Sequence, residues 1–435
     1  MLLRRGLKIC AGIYLVVLLV AVMAYKAAFM GVMFHNAFYG VYSVCVASYI
    51  VSRFIFSLFY RSKRDAGIEP AIAIVMPGFN EEEAIGVSLR SLLALSYPAE
   101  KLELIAVNDG STDGTLAEME SVAAESGGRV RVIDFPENRG KRAAMAAGIR
   151  ATEAEVIVFV DSDSTVEPDA LRKLVQPLAD RRIGAVCGHA NVLNVRESWL
   201  TRMQAVRYFV AFRVVKAAES VFNAVTCCSG CFSAYRREAI LPRMEWWENQ
   251  TFLGVESTFG DDRSLTNCVL RDWRVVYEKK AVSHTIVPST FRAFVKQQTR
   301  WKRSWTRESL LVARFIWRKN PIAALFVYLS IVLPLIAPVA AVHAIVWGPL
   351  AHGGTLPLIY LAGIYSLAMV YSLYYVIFQD EYSLVWIYGI LFVFFYLGIM
   401  LWQTYYAIAT TRSSSWGTRP ATAGMMTVDT MQVQP

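Results

Sequence analysis

Two apolar runs open the chain. Residues 9–25 contain no charged side chain, and residues 37–60 are interrupted only by Arg53. Each approaches the ~20 residues needed to cross a bilayer core as a helix. From about residue 68 the pattern shortens. Apolar runs at 71–76, 102–107, 130–135, 156–160 and 183–187 alternate with helical stretches at 82–95, 114–126, 141–151 and 168–178. This alternation predicts an α/β domain built on a mostly parallel sheet with helices on both faces. In such sheets, ligands bind beyond the carboxyl ends of the strands. Three further runs, 321–350, 356–378 and 383–411, lack Asp, Glu, Lys and Arg altogether. The predicted architecture is therefore an α/β domain inserted between α-helical transmembrane segments.

Charge refines the picture. Arg4, Arg5 and Lys8 precede the first run, and Arg61, Lys63 and Arg64 follow the second. Cytoplasmic flanks carry excess Lys and Arg, so the two runs read as a hairpin with both ends in the cytoplasm. A cleaved signal peptide is the competing reading of the first run, but no small-residue cleavage site follows Tyr25. Residues 291–319 hold nine Lys or Arg and one Glu, mixed with Trp301, Trp305, Phe315 and Trp317. A basic, aromatic-rich helix of this kind lies at a membrane interface. The net charge of +9 belongs with a hydrophobic content of 55%, too apolar for an ordinary soluble enzyme. No zinc-finger or RNP-like pattern accompanies the charge, so nucleic acid is not an expected partner, whereas membrane lipids are. Seven scattered cysteines argue against a disulfide framework, and Cys228-Ser229-Gly230-Cys231 has no second pair at zinc spacing.

Four clusters carry candidate chemistry. Asp161-Ser162-Asp163 leaves the strand at 156–160, where two carboxylates one residue apart can reach a hard cation that bridges phosphate oxygens. Pro77-Gly78-Phe79-Asn80-Glu81 and Asn108-Asp109-Gly110-Ser111 follow the first two strands and can bond a base and ribose, with Ser111 or Thr112 as a helix cap. Gly260-Asp261-Asp262-Arg263 offers a general base before a helix, oriented by Arg263 or a neighbouring amide. In Gln297-x-x-Arg300-Trp301, the guanidinium suits a diphosphate and the indole suits a sugar face. Taken singly, each cluster is equally well explained as a turn, a cap or an interfacial anchor. Lys141 and Arg142 face the same choice, between binding an anionic donor or polymer and forming a solvated helix start.

The order of these clusters resembles the processive family-2 glycosyltransferases, and within them the class I hyaluronan synthases. The matching stretches include Asn138-Arg139-Gly140-Lys141-Arg142, Asp161-Ser162-Asp163, Gly188-His189-Ala190-Asn191-Val192, Asn249-Gln250-Thr251-Phe252-Leu253-Gly254, the two motifs at 260–267 and 296–301, and Trp416-Gly417-Thr418-Arg419. The resemblance spans nearly the whole chain and implies a GT-A-type domain with Mg²⁺ or Mn²⁺ as cofactor. It implies that UDP-N-acetylglucosamine and UDP-glucuronate are polymerised into hyaluronan at the plasma membrane. In that scheme Asp163 binds the metal and Asp262 is the base. Glu81, Asp109, Asp161, Lys141, Arg142, Asp261, Gln297, Arg300, Trp301, Trp416 and Arg419 contact the donor, the leaving group or the nascent polysaccharide. The implied domains are a hairpin at 1–66, the catalytic domain at 67–288, interfacial helices at 289–320, membrane-embedded helices at 321–412 and a gating loop and disordered tail at 413–435. Ser229-Gly230-Cys231-Phe232 departs from the family's Ser-Gly-Pro-Leu, and Asn108 stands where an Asp is usual. If residues 383–411 crossed the bilayer once, Arg419 would emerge on the far side from the donor, and 29 residues are too few for two crossings. A re-entrant segment that bends near Gly389 or Gly398 is therefore expected. The rival products and roles are a single-sugar chitin-oligosaccharide synthase and a catalytically silent transport or scaffold protein.

Overall fold

Residues 72–78 are buried along their whole length and form the strand at the heart of the sheet. Their alternating side chains serve two separate cores. Ile72, Ile74 and Met76 pack in one cluster with Leu89, Leu92, Met119 and Leu171, while Ala73 and Val75 pack in the other with Ile149, Phe159 and Tyr235. A strand buried on both faces is what helices on both sides of a parallel sheet require. The computed structural model describes residues 2–28, 37–353, 356–379 and 384–413.

The strands are β1 (Ile72–Gly78), β2 (Leu102–Asn108), β3 (Val130–Asp134), β4 (Val156–Phe159), β5 (Ser164–Val166), β6 (Ile183–Val192), β7 (Ser233–Arg236), a small hairpin of β8 (Thr251–Phe252) and β9 (Val255–Glu256), and β10 (Arg274–Thr285). The main sheet runs β3-β2-β1-β4-β7-β6-β10-β5. Strands β1 to β4 pair in parallel, as expected from the alternation of apolar and helical stretches. β7 and β5 then enter antiparallel, an addition that the pattern did not signal. The helices that cover the sheet include α3 (Ile85–Leu93), α4 (Thr115–Glu125), α5 (Lys141–Arg150) and α6 (Ala170–Val175). α7 (Trp199–Val210) follows, α8 (Asp261–Asp272) leads into β10, and α9 (Phe291–Ala313) is the basic helix.

Membrane helices flank this domain. α1 (Leu2–Ala28) and α2 (Ala37–Phe59) precede it, and α10 (Pro321–Val342), α11 (Leu356–Phe378), α12 (Ile387–Phe395) and α13 (Gln403–Ala409) follow it. Three helices among the described residues are long and apolar enough to cross a bilayer: Ala37–Phe59, Pro321–His352 and Leu356–Phe378. The count rises to four if the bent pair Leu384–Met400 and Gln403–Ala409 is one span. The first run is less simple than its composition suggested. α1 continues past Tyr25 through Lys26, which is buried and donates to Ser43 Oγ of α2 at 2.6 Å. The two elements of the last run meet at 44°, and the break falls after the turn that contains Gly398 rather than at Gly389. Gly389 has another role, because a Cβ there would lie 2.7 Å from Ser372 Oγ of α11.

A cluster of Leu15, Phe54, Val370 and Tyr374 from the membrane helices continues into Val206, Phe209 and Val210 of α7. The α/β domain is thus packed directly onto the spans. The final helix is tied to the basic one. Lys302 of α9 donates to Met400 O and, at 2.9 Å, to Thr404 Oγ1, and Gln403 Nε2 donates to Val295 O at 2.8 Å. Arg303 Nε reaches Thr410 Oγ1 at 3.0 Å. These bonds hold the chain beside α9 at the last described residues.

Candidate functional site

The loops that leave β1 and β2 bind each other before they bind anything else. Asn80, at φ 54°, takes a hydrogen bond from Thr112 N at 2.9 Å, and its own amide donates to Ser111 Oγ at 3.1 Å. Neither Ser111 nor Thr112 caps α4 as expected. Gly114 stands at the N-cap position, and Asp113 just before it accepts from Thr115 N at 3.0 Å. Glu81 sits beside this junction, with its amide on Thr115 Oγ1 at 2.7 Å.

Asp109 is 2% exposed, and its carboxylate accepts from Arg139 N at 2.8 Å and Asn138 Nδ2 at 3.2 Å. Burial raises its pKa against the pull of those donors. Gly110, at φ 65°, carries the 137–138 backbone so closely that a Cβ would lie 2.3 Å from Glu137 C. The Asn138–Arg142 stretch is thereby laid across the end of β2 and delivers Lys141 to the next acidic group.

Lys141 forms an ion pair with Asp161. It also feels Asp261 and Asp262, so one ammonium lies among the carboxylates of two motifs that are about a hundred residues apart in sequence. Asp163 is buried at the end of β4 and β10, accepting from Ser164 Oγ and Thr285 Oγ1, each at 3.3 Å. Among the described residues, no group of three or more His, Cys, Asp or Glu side chains is placed to hold a metal. One or two carboxylates that leave the remaining positions to water and substrate phosphate are what Mg²⁺ characteristically uses, so Asp161 and Asp163 fit that pattern.

Asp262 lies in the first turn of α8. Its Oδ1 accepts from Arg263 N at 2.7 Å, so the neighbouring amide orients it, one of the two arrangements expected. Its Oδ2 faces Cys227 Sγ at 3.6 Å. Burial, then the Asp262 charge, pushes the Cys227 thiol up to about 12, so it stays protonated and donates. Lys216 holds the Cys227 carbonyl from behind. At the other end of this loop, a Cβ on Gly230 would lie 2.7 Å from Asp161 Oδ1, and the Cys231 thiol, also pushed up to about 12, feels Asp161 and Asp163. The divergent 227–232 segment therefore bridges the two acidic clusters. In the sequence its C-x-x-C spacing pointed to different chemistry, and the departure of Ser229-Gly230-Cys231-Phe232 from the family's Ser-Gly-Pro-Leu marked the segment without showing what it bridges.

Arg142 and Asp261 do not stand at a solvated surface. Arg142 is 5% exposed; its Nε binds Asp261 at 2.8 Å, and its Nη1 binds Trp247 O at 2.8 Å and Gln250 Oε1 at 3.1 Å. Gln250 and Asn267 donate to Glu308 of α9 at 3.1 and 3.0 Å, and Arg307 donates to Phe259 O at 2.5 Å. One buried network thus locks α5, α8 and α9 together. Charged groups survive burial only when paired in this way. Gly260, at φ 80°, completes the lock, since a Cβ would lie 1.8 Å from Ser304 Oγ. Gly260→Ala is therefore expected to lower the melting temperature of the solubilised protein by several degrees and to cut activity, because both φ and the α9 contact oppose it.

On α9, Gln297 and Gln298 are buried, whereas Trp301 is 37% exposed. Gln298 Oε1 accepts from Arg207 Nη1 at 2.6 Å. The Arg207 guanidinium lies 5.6 Å from the Trp301 ring and Tyr208 6.5 Å from it, so α7 supplies an edge that the sequence did not reveal. A lone Arg-Tyr pair in a helix has no distinguishing spacing. Arg300 lies partly buried on the same helix. His189, from a matching stretch, is core: Tyr277 OH meets its Nδ1 at 2.8 Å, and burial keeps it neutral. Trp416 and Arg419 lie outside the described residues.

A GT-A-like sheet whose carboxyl edge gathers these acids, set between apolar helices, defines a membrane glycosyltransferase. Residues 73–241 match the model of glycosyl transferase family 2. The chain is 31% identical over 421 residues to a hyaluronan synthase of Streptococcus pyogenes, covering 96% of this chain and 97% of that protein. It is 35% identical to an N-acetylglucosaminyltransferase of Rhizobium meliloti over 257 residues, or 59% of this chain and 60% of the other. A mannosyltransferase of Pyrobaculum calidifontis, solved with GDP-Man and Mn²⁺, shares the fold at a TM-score of 0.59 and 20% identity, covering 83% of this chain and 99% of that one. The chain belongs to glycosyltransferase family 2 and is homologous to the streptococcal hyaluronan synthases.

Proposed function

We propose that the chain is a processive, inverting synthase that polymerises UDP-N-acetylglucosamine and UDP-glucuronate into hyaluronan and passes the polymer across the plasma membrane. The observation that carries this reading is the extent of the similarity to the streptococcal enzymes. It takes in the membrane helices as well as the catalytic domain. Asp109 and Glu81 hold the uridine at the ends of β1 and β2. Asp163, with Asp161, holds Mg²⁺ or Mn²⁺, which when bound neutralises charge on the diphosphate. Lys141 offers a further cation beside Asp161. Asp262 takes the proton of the acceptor hydroxyl as that oxygen attacks the anomeric carbon from the opposite face, turning an α-linked donor into a β-glycoside. Arg300 receives the departing UDP with Arg419 and Trp416, while Trp301 and the Arg207–Tyr208 edge face the acceptor. Arg142 and Asp261 act by holding α5, α8 and α9 in register, and Gln297, buried beside Gln298 on α9, lines the acceptor side.

The Rhizobium similarity favours a second reading, a synthase that uses UDP-N-acetylglucosamine alone. Purified protein given each donor singly and then both together separates the two. Hyaluronidase-sensitive polymer is expected only with both donors, and polymer from UDP-N-acetylglucosamine alone would overturn the hyaluronan reading. The bonds from α9 to 400–410 support a catalytic domain and carboxy-terminal tail on the same, cytoplasmic side. A cysteine introduced as Thr418→Cys should then resist an impermeant thiol reagent in intact cells and react once the cells are opened.

A further inference from the structure

A cavity of about 580 Å³ lies at the opposite end of the sheet from the acidic clusters. Its lining includes Arg182, Arg274 and Lys319, one carboxylate, Asp272, and the rings of Phe222 and Trp273. Arg182 immediately precedes β6, and Arg274 is the first residue of β10. Asp163 meets Thr285 at the far end of β10. The paired strand β6 runs from Ile183 beside Arg274 to Val192 beside Thr285, so the two ends lie about 30 Å apart at ~3.3 Å per residue. The cavity is therefore not part of the donor site.

Its surroundings place it where membrane helices meet the domain. Lys319 and Asn320 directly precede α10, and Asn320 Oδ1 caps that helix through Ile322 N at 2.9 Å. Phe222 packs edge-on against Phe56 of α2 at 5.0 Å and lies 6.1 Å from Phe326 of α10. Trp317, 60% exposed, carries Arg318 over its ring just before the span begins. Exposed Trp and basic residues at the entry to a span mark headgroup depth.

The charge there is unbalanced. Asp180 pairs with Arg182 at 3.0 Å and with Arg274 at 3.6 Å, and Asp272 pairs with Arg243 at 2.8 Å. With Lys319, four cations meet two carboxylates and two positive charges remain. Lys319 donates to Trp273 O at 3.2 Å, and burial lowers its pKa against the pull of Asp272, a cost that an incoming anion would offset.

We propose that this cavity binds the phosphate-bearing headgroup of an anionic phospholipid. Arg182, Arg274 and Lys319 surround the phosphate, and Phe222 and Trp273 cover the glycerol and the first acyl carbons. Basic pockets beside membrane helices recognise such headgroups by paired hydrogen bonds and charge. A soluble phosphate or nucleoside diphosphate would share the anion chemistry, but the aromatic wall continuous with α2 and α10 favours a lipid.

The test uses the full chain in nanodiscs of phosphatidylcholine with a minor fraction of phosphatidylglycerol, followed by native mass spectrometry of retained lipid. The combined variant Arg182→Gln, Arg274→Gln and Lys319→Gln should retain at least five-fold less phosphatidylglycerol than the parent, with phosphatidylcholine unchanged. Asp272→Asn, which removes the carboxylate from the lining, should raise retention, so the proposal stays falsifiable even if the triple variant folds poorly. Millimolar inorganic phosphate or UDP should leave the parent's bound lipid in place. Equal retention in the parent and both variants would sink the proposal, and displacement by phosphate or UDP would reassign the cavity to a soluble anion.

Discussion

Asp262→Asn should reduce polymer synthesis by about 10²- to 10⁴-fold, the span typical of a removed general base. Binding of UDP-sugar, read by calorimetry or by fluorescence of a labelled nucleotide, should change less than three-fold, because the Asp262 carboxylate bonds to Arg263 N and faces Cys227 Sγ rather than the β1 and β2 loops. The amide of Arg263 can still donate to the Asn oxygen, so α8 keeps its first turn. Activity within ten-fold of the parent would exclude Asp262 as the base. The role would then have to pass to another carboxylate, and Asp261, the other one that begins that helix, is held by Arg142.

The second large effect concerns stability. Arg142→Ala should cost about 3–5 kcal/mol, because removing one partner leaves Asp261 buried with an uncompensated charge and strips Gln250 and Trp247 O of a donor. A loss of that size consumes a large part of a typical folding free energy. The solubilised protein should melt many degrees lower or fail to accumulate. The alternative, Arg142 as a donor contact, makes the opposite forecast: normal melting with a raised KM. Arg142→Met with Asp261→Leu should recover much of the stability, since a buried pair replaced by apolar groups of similar size is often neutral. Any recovered activity would depend on Asp262 keeping its place.

How much was legible in advance follows from range. β1 to β4 and the helices between them were visible because their period is local, and a two-sided parallel strand must read as an unbroken apolar run. β7, antiparallel between β4 and β6, was not, because Ser233–Arg236 is four residues long and polar at its ends. Asp109, Asp161 and Asp163 were found because strand ends and acidic spacing coincide. Arg207 and Cys227 were missed because their roles depend on neighbours dozens of residues away. Arg142 was noticed but placed on the wrong side of the surface. Charge suggests solvent until a partner such as Asp261 is known, and that partner lies 119 residues further on.

The sequence by itself determined the order of membrane and α/β segments, the acidic clusters at the strand ends and the family, since each rests on local composition or on motif order. Only the tertiary structure decided which charges gather at the sheet's carboxyl edge and which are buried in the frame. It put Lys141 among three aspartates, buried Arg142 with Asp261, bent the chain after Gly398 and set the final helix against α9. The physical reason is that burial and pairing are properties of contacts between distant segments. A charged side chain acquires its function from the dielectric and the partners that folding brings to it.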